Sequence, residues 1–369
     1  MNIITPPSVA IIGAGLAGLN AARLLHRAGI AFQLFEARDR LGGRILTVDE
    51  AGSPAEDGFD LGPSWFWPEM QSAIGTLAVE LGLRAFVQHS RGDSLLERSA
   101  REQPVRFPGM AQQPASMRLE GGSAALIRAL AAGLPAGSVR TGCAVTGLRL
   151  TDTGIEMSIA IGDLQRRRIN FSQVIAAVPP RLLAAAVQFS PALDPATREL
   201  WQGMPTWMAP QAKFLAIYDR PFWRDAGLSG TAQSMAGPLA EIHDATTASG
   251  KAALFGFVGI PAAQRKSIGR KILVRAAVQQ LTRMFGPEAE APRATLLKDW
   301  AFEEWTATSA DFVATGHPSA SRVDWVTGLW KGRLLLAGSE TSETDPGYLN
   351  GAVEASTRIV ETYCCRRTF

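Results

Sequence analysis

The sequence predicts an α/β chain of two domains, one assembled from separated stretches and the other, α+β in character, inserted between them. Three observations carry this. The apolar run Val9-Ala10-Ile11-Ile12 leads directly into Gly13-Ala14-Gly15-Leu16-Ala17-Gly18 and then into a helical pattern. A second strand–turn–helix pattern closes the chain, from Leu334 through Gly338 to Tyr363. Between the two lie alternating segments suited to antiparallel strands, and 369 residues suffice for two domains at about 150 residues each.

Val9 to Ile12 is short and wholly apolar, as a strand buried on both faces must be. The helix through Leu19, Ala22, Leu25 and Arg27 stops at Gly29, where a left-handed residue fits, and Phe32 to Phe35 is a second strand ending at Glu36. Gln71 to Leu81 reads as a helix, and Arg91 to Pro114 as a polar stretch punctuated by proline. Gly121-Gly122-Ser123 precedes a helix over Ala124 to Ala132. Val139 to Leu150 and Gly154 to Ile161 alternate, as antiparallel strands joined near Asp152 would. Val174 to Val178 is a buried strand halted by Pro179-Pro180. Lys213 to Tyr218 and Ala252 to Val258 read as strands of a different sheet, and Lys271 to Phe285 as a helix ended by Gly286-Pro287. Leu334 to Ala337 is the closing strand, and the last helix begins near Gly351. This order assigns residues 1–68, 117–202 and 296–369 to one domain and residues 69–116 and 203–295 to the other.

Composition removes several functional classes. With 46% hydrophobic and 19% charged residues the chain is neither disordered nor fibrous. Its 37 basic and 34 acidic residues are interspersed, without the basic stripe that nucleic acid requires. Cys143, Cys364 and Cys365 offer no metal spacing and no disulfide framework, which suits a reduced, cytoplasmic protein. The uncharged start of the chain has no preceding Lys or Arg and is broken by Pro6, Pro7 and glycines, so neither a leader nor a membrane span is expected. His26, His89, His243 and His317 show no ligand spacing, and no metal is expected.

Gly13, Gly15 and Gly18 form G-x-G-x-x-G directly after a strand and at the opening of a helix. The first permits the tight turn, the second lets a pyrophosphate approach the backbone, and the third lets helix pack on strand. The helix N-terminus adds free N–H groups and the positive end of its dipole. Glu36, at the end of the second strand, is placed to accept from both hydroxyls of a ribose. A Rossmann-like site for an adenine dinucleotide follows. Glu36-Ala37-Arg38-Asp39-Arg40-Leu41-Gly42-Gly43-Arg44 extends it with close-approach glycines and arginines able to hold phosphate.

These motifs, with Asp60-Leu61-Gly62-Pro63-Ser64-Trp65, Gly121-Gly122, Val174 to Pro179 and the block Leu336 to Glu354, resemble the flavin-containing amine oxidase family, the monoamine oxidase-like proteins, in their joint order. The resemblance implies FAD across the first domain, in contact with or surrounded by Gly13, Ala14, Gly15, Gly18, Glu36, Ala37, Arg38, Gly43, Arg44, Gly62, Pro63, Ser64, Val145, Trp300, Gly338, Glu340, Tyr348 and Leu349. Val145 matches the position whose backbone holds the adenine, and Glu340 the one at the ribityl or pyrophosphate. No cysteine stands where some members attach the flavin, so FAD is expected to be noncovalent. No apolar tail follows the helix that ends near Phe369, so the membrane anchor of some relatives is not expected.

The resemblance also places a reacting centre. Lys213, on the alternating segment before Pro221-Phe222-Trp223-Arg224, matches a lysine that holds a water beside flavin N5, and a lysine on so apolar a strand needs a partner. Tyr348 matches one wall of an aromatic pair that guides a neutral amine. No tyrosine stands where the second wall is usual, and Trp305 and Phe312 are the rings on offer, as substitutes or as core. Trp65, Phe66 and Trp67 line the pocket or pack in the core. The implied reaction oxidises a C–N bond of a small amine by hydride transfer to flavin N5. The imine then hydrolyses, and O2 or another acceptor reoxidises the flavin, O2 giving H2O2. The same motifs also admit a desaturase acting on C–C bonds, like phytoene desaturase or protoporphyrinogen oxidase, or a noncatalytic FAD-binding protein. The sequence leaves oligomeric state open.

Overall fold

The computed structural model describes residues 9–109, 112–162, 165–313 and 316–366; Pro6, Pro7 and Phe369 lie outside them. A parallel five-stranded sheet runs in the order Leu334–Leu336, Gln173–Ala176, Val9–Ile12, Phe32–Phe35, Val139–Arg140. Its strands come from both ends and the middle of the chain, and the three from Leu334–Leu336 to Val9–Ile12 are buried along their whole length, as strands between two covering layers must be. Helices Leu16–Arg27, Ala124–Ala132 and Leu349–Cys365 cover one face through Leu19, Leu25, Leu126, Val353 and Val360. A four-stranded sheet with Trp201 and Trp330 covers the other, packing Met157 and Phe171 against Phe35 and Ala176.

The second body is a seven-stranded sheet in the order Ala294–Asp299, Ala212–Tyr218, Ala252–Val258, Leu239–Asp244, Leu228–Ser234, Asp93–Glu97, Val105–Phe107. Strand alternation divides its side chains. Phe214, Ala216, Leu254 and Ile242 face helix Arg270–Phe285. Leu215, Ile217, Ala253 and Phe255 face Val48, Phe59 and Leu61 of the first body. Lys213 shares the parity of Leu215 and Ile217, and that parity turns it toward the junction.

Several local expectations shift. Helix Ser72–Glu80 buries Ile74 and Leu77 in the core of the parallel sheet, although it belongs to the stretch assigned to the inserted domain. The boundary drawn at residue 296 falls inside the strand Ala294–Asp299, which pairs along Ala212–Tyr218. The polar stretch after Arg91 holds the strands Asp93–Glu97 and Val105–Phe107. Val139 to Leu150 is two strands in two sheets. Gly142, at a φ of 63°, makes the corner between Val139–Arg140 and Cys143–Thr151, a backbone conformation that only glycine adopts without strain.

Candidate active site

Gly15 is the N-cap of helix Leu16–Arg27 and no side chain caps that end, so the first-turn N–H groups stay open to a ligand. A Cβ on Gly15 would meet nothing closer than the Gly42 carbonyl at 3.8 Å, whereas one on Gly18 would lie 1.8 Å from the Gly13 carbonyl. The turn is therefore open toward the ligand side and closed toward the strand. Glu36 is 4% exposed and accepts from the amides of Ala14 at 2.8 Å and Arg38 at 3.0 Å, which aims the carboxylate across the turn. Arg38 is held by the Thr306 hydroxyl at 2.7 Å and by Glu303 at 3.4 Å.

One cavity of about 590 Å3 continues from this turn to the seven-stranded sheet. It is lined at the turn by Gly13, Gly15, Glu36, Ala37, Arg38, Gly43 and Arg44, then by Gly62, Pro63, Ser64 and Val145. Farther along stand Lys213, Trp300, Tyr348 and Leu349, with Trp65, Phe255, Phe257 and Glu241. An open helix N-terminus, a carboxylate at the end of the second strand and a long lined cavity together fit a dinucleotide.

Four residues expected at the cofactor are not on the cavity wall. Ala14 is buried and contributes its amide to Glu36, Gly18 is consumed by helix–strand packing, and Gly338 lies against the Val178 carbonyl, 2.7 Å from where its Cβ would be. Glu340 stands behind Arg44. Its side chain has no exposed surface and is taken up by Arg44 at 2.6 Å and by the Ser339 hydroxyl at 3.0 Å. A carboxylate buried behind an arginine positions that arginine; Arg44 is the group that reaches the cavity.

Lys213 is 4% exposed. Its Nζ donates to the Ser64 hydroxyl at 2.8 Å and the Gly62 carbonyl at 3.1 Å, and stands 4.1 Å over the Phe255 ring. Burial is the largest influence on its ammonium, pushing the pKa down to about 7; Asp60 opposes the shift and Arg118 adds to it. The partners anticipated for a lysine on an apolar strand thus come from the 62–64 turn. Trp300 donates its indole N–H to the Leu61 carbonyl at 2.9 Å, pinning the same turn.

Tyr348 is the N-cap of helix Leu349–Cys365, which no side chain caps, so that helix also ends on the cavity. The ring opposite it is Trp207, at 6.5 Å between centroids and an angle of 52°. Sequence reasoning missed Trp207, which lies in the loop before the Lys213 strand. It is firmly held: Arg44 donates to its carbonyl at 3.2 Å, Met208 after it adopts a φ of 62°, and a Cβ on Gly347 would come within 2.5 Å of the Trp207 Cβ. His317 packs on both rings, 4.5 Å from Trp207 and 4.8 Å from Tyr348. Trp305 reaches the cavity, but Phe312 packs on Phe302 at the surface and is no second wall. Trp65 and Trp67 line the cavity, and Phe66 is core. Glu241 and His243 also escaped notice, although the alternation of Leu239 to Asp244 puts them on one face.

Among the described residues, no helix is long and apolar enough to cross a membrane. The family profile described as flavin containing amine oxidoreductase matches residues 16–115 and 84–362. A probable flavin-containing monoamine oxidase A of Dictyostelium discoideum is 26% identical, over 95% of this chain and 96% of that protein. A putrescine oxidase of Kocuria rosea is 24% identical over 81% of this chain and 83% of its own. Among solved structures, a putrescine oxidase bound to putrescine superposes with a TM-score of 0.78 at 22% identity, covering 98% of this chain and 100% of the other. A cyclohexylamine oxidase from Brevibacterium oxydans gives 0.79 at 21% identity, over 99% and 100%. The fold is theirs, and with the profile spanning most of its length the chain belongs to the flavin-containing amine oxidoreductase family.

Proposed function

We propose that this chain binds FAD noncovalently in the described cavity and oxidises the C–N bond of a small amine, with O2 as the electron acceptor. The observation that carries the reading is the single cavity joining an open dinucleotide turn to a buried, poorly basic lysine and a pair of aromatic rings. FAD, when bound, accepts hydride from the carbon beside the amine nitrogen and passes the electrons on to the acceptor.

The residues divide the work. Gly15 and the first-turn N–H groups take the pyrophosphate, Glu36 the ribose, and Arg44, steadied by Glu340, the next stretch of the cofactor. The uncapped N-terminus of helix Leu349–Cys365 favours the negative charge that reduction builds at its end of the cavity. Tyr348 and Trp207 offer two ring faces to a neutral amine, with Trp207 in the role that no tyrosine fills. Lys213 holds a water and moves a proton to or from it, a task suited to a group with a pKa of about 7. Cys143, the cysteine on the cavity wall, sits beside Val145, which we assign to the adenine end. The small number of cysteines supports a cytoplasmic setting.

The test is direct. Purified protein should be yellow, and its flavin should bleach when an amine is added without oxygen and recover colour on admission of air. A flavin that no amine bleaches would refute the reading.

A further inference from the structure

An unprotonated primary amine carries two hydrogens and one lone pair, and at Lys213 both hydrogens are taken. Nζ donates to the Gly62 carbonyl at 3.1 Å and to the Ser64 hydroxyl at 2.8 Å. The two acceptors belong to one turn, and that turn is rigid. Pro63 restricts the backbone between them, Trp300 holds the Leu61 carbonyl at 2.9 Å, and Phe66 exchanges backbone hydrogen bonds with Met117 at 3.1 and 2.9 Å. Gly62 lies so close to Arg44 that a Cβ on it would stand 2.0 Å from the Arg44 carbonyl oxygen.

The lone pair takes the direction left over. The ring of Phe255 flanks Nζ at 4.1 Å, and its electron-rich face repels a lone pair. The open side is the cavity, which Lys213 and Ser64 both line. Four charged groups stand on the elements around the lysine. Asp60, held by the Thr47 hydroxyl at 2.6 Å, favours the ammonium, and buried Arg118 opposes it. Lys298, opposite Lys213 on the next strand, is tied to Glu303, and Glu241, two strands away, is bound by His243 at 2.6 Å. Such charges bias how readily Nζ holds a proton, whereas hydrogen bonds set which way its lone pair points.

We propose that Ser64 is a positioning residue for Lys213: with the Gly62 carbonyl, its hydroxyl takes both hydrogens of the unprotonated amine and turns the lone pair into the cavity, where it accepts a hydrogen bond from water. This rests on the role given to Lys213 in amine oxidation above. The proton that Lys213 exchanges then moves along that one hydrogen bond. Without the hydroxyl the amine can rotate, and the lone pair is aimed at the water for only part of the time.

The experiment follows Lys213 itself. The chain has six lysines, so full-length protein labelled with carbon-13 at lysine Cε gives few resonances, and the one lost in Lys213→Met is its own. Its titration is recorded by NMR, with FAD bound and after its removal, in wild type, Ser64→Ala and Ser64→Thr. Flavin content and melting temperature check that each variant is folded. The wild-type midpoint should lie at about 7. Ser64→Ala should lower it by about 0.5–1, because the hydroxyl accepts more strongly from the ammonium than from the amine. Ser64→Thr, which keeps a hydroxyl, should restore it. A variant that had merely loosened the turn would admit water, relieve the burial and move the midpoint up instead. In stopped flow, flavin reduced with dithionite should regain its colour in air roughly fivefold more slowly in Ser64→Ala at about pH 9, where the amine is mostly unprotonated in each variant, and near the wild-type rate in Ser64→Thr. A midpoint that stays or rises in Ser64→Ala, or a rate that does not fall, overturns the assignment and leaves amine oxidation standing. If instead no amine bleaches the flavin, the functional reading fails, whatever the titration gives.

Discussion

Lys213 pays for its position in protonation. Its ordinary pKa is near 10.5 and burial brings it to about 7, so between those values the unfolded chain binds a proton there that the folded chain does not. Stability therefore rises with pH across that window, and the penalty is fully present below about pH 7. Lys213→Met should raise the melting temperature, by the largest margin below pH 7 and by a shrinking one toward pH 10; scanning calorimetry across that range checks the trend. The same variant should slow flavin reduction or reoxidation by roughly tenfold or more while retaining FAD, as stopped-flow absorbance would show. Glu36 is the complementary case. Its carboxylate organises the turn as well as facing the cavity, so Glu36→Ala should weaken FAD binding by about 10- to 100-fold, measured by flavin fluorescence on titration into stripped protein. Both residues were legible in the sequence, Glu36 from its spacing after the glycines and Lys213 from its oddity on an apolar strand. Glu340 was only half legible: its place in the chain pointed to the cofactor, and only packing revealed Arg44 in between.

At the scale of elements, two helix N-termini and one sheet face build the site, and glycines set how close they come. Gly347 has a φ of 84° and no room for a Cβ beside Trp207. Gly347→Ala should cost about 1–3 kcal/mol and displace Tyr348, seen as a lowered melting temperature together with a raised KM for amines. The elements themselves were largely readable, since apolar strands and glycine-bounded helices carry their own period. The misreadings have a physical pattern. Asp93–Glu97 and Val105–Phe107, the last two strands of their sheet, were hidden because strands of so few and partly exposed residues lack a strong alternation. Val139 to Leu150 was read as one strand because both halves alternate and the corner between them rests on one glycine.

For the whole molecule, the cavity exists only because strands from both ends of the chain meet the sheet built from its middle. FAD bound in a cavity lined by both bodies should stabilise them together. Free FAD at 100 times its dissociation constant should add about 2.7 kcal/mol and raise the melting temperature of stripped protein by a few degrees in a concentration-dependent way, which differential scanning fluorimetry can follow. The chain's local chemistry by itself determined the nucleotide turn, the parallel core strands and the lysine, because each depends on residues within a few positions of one another. Only the tertiary structure decided that Trp207 faces Tyr348 and that Glu241 shares a row with Lys213. Those neighbours are set by loop geometry and by register between strands far apart in the chain, and neither leaves a periodic trace that local sequence can carry.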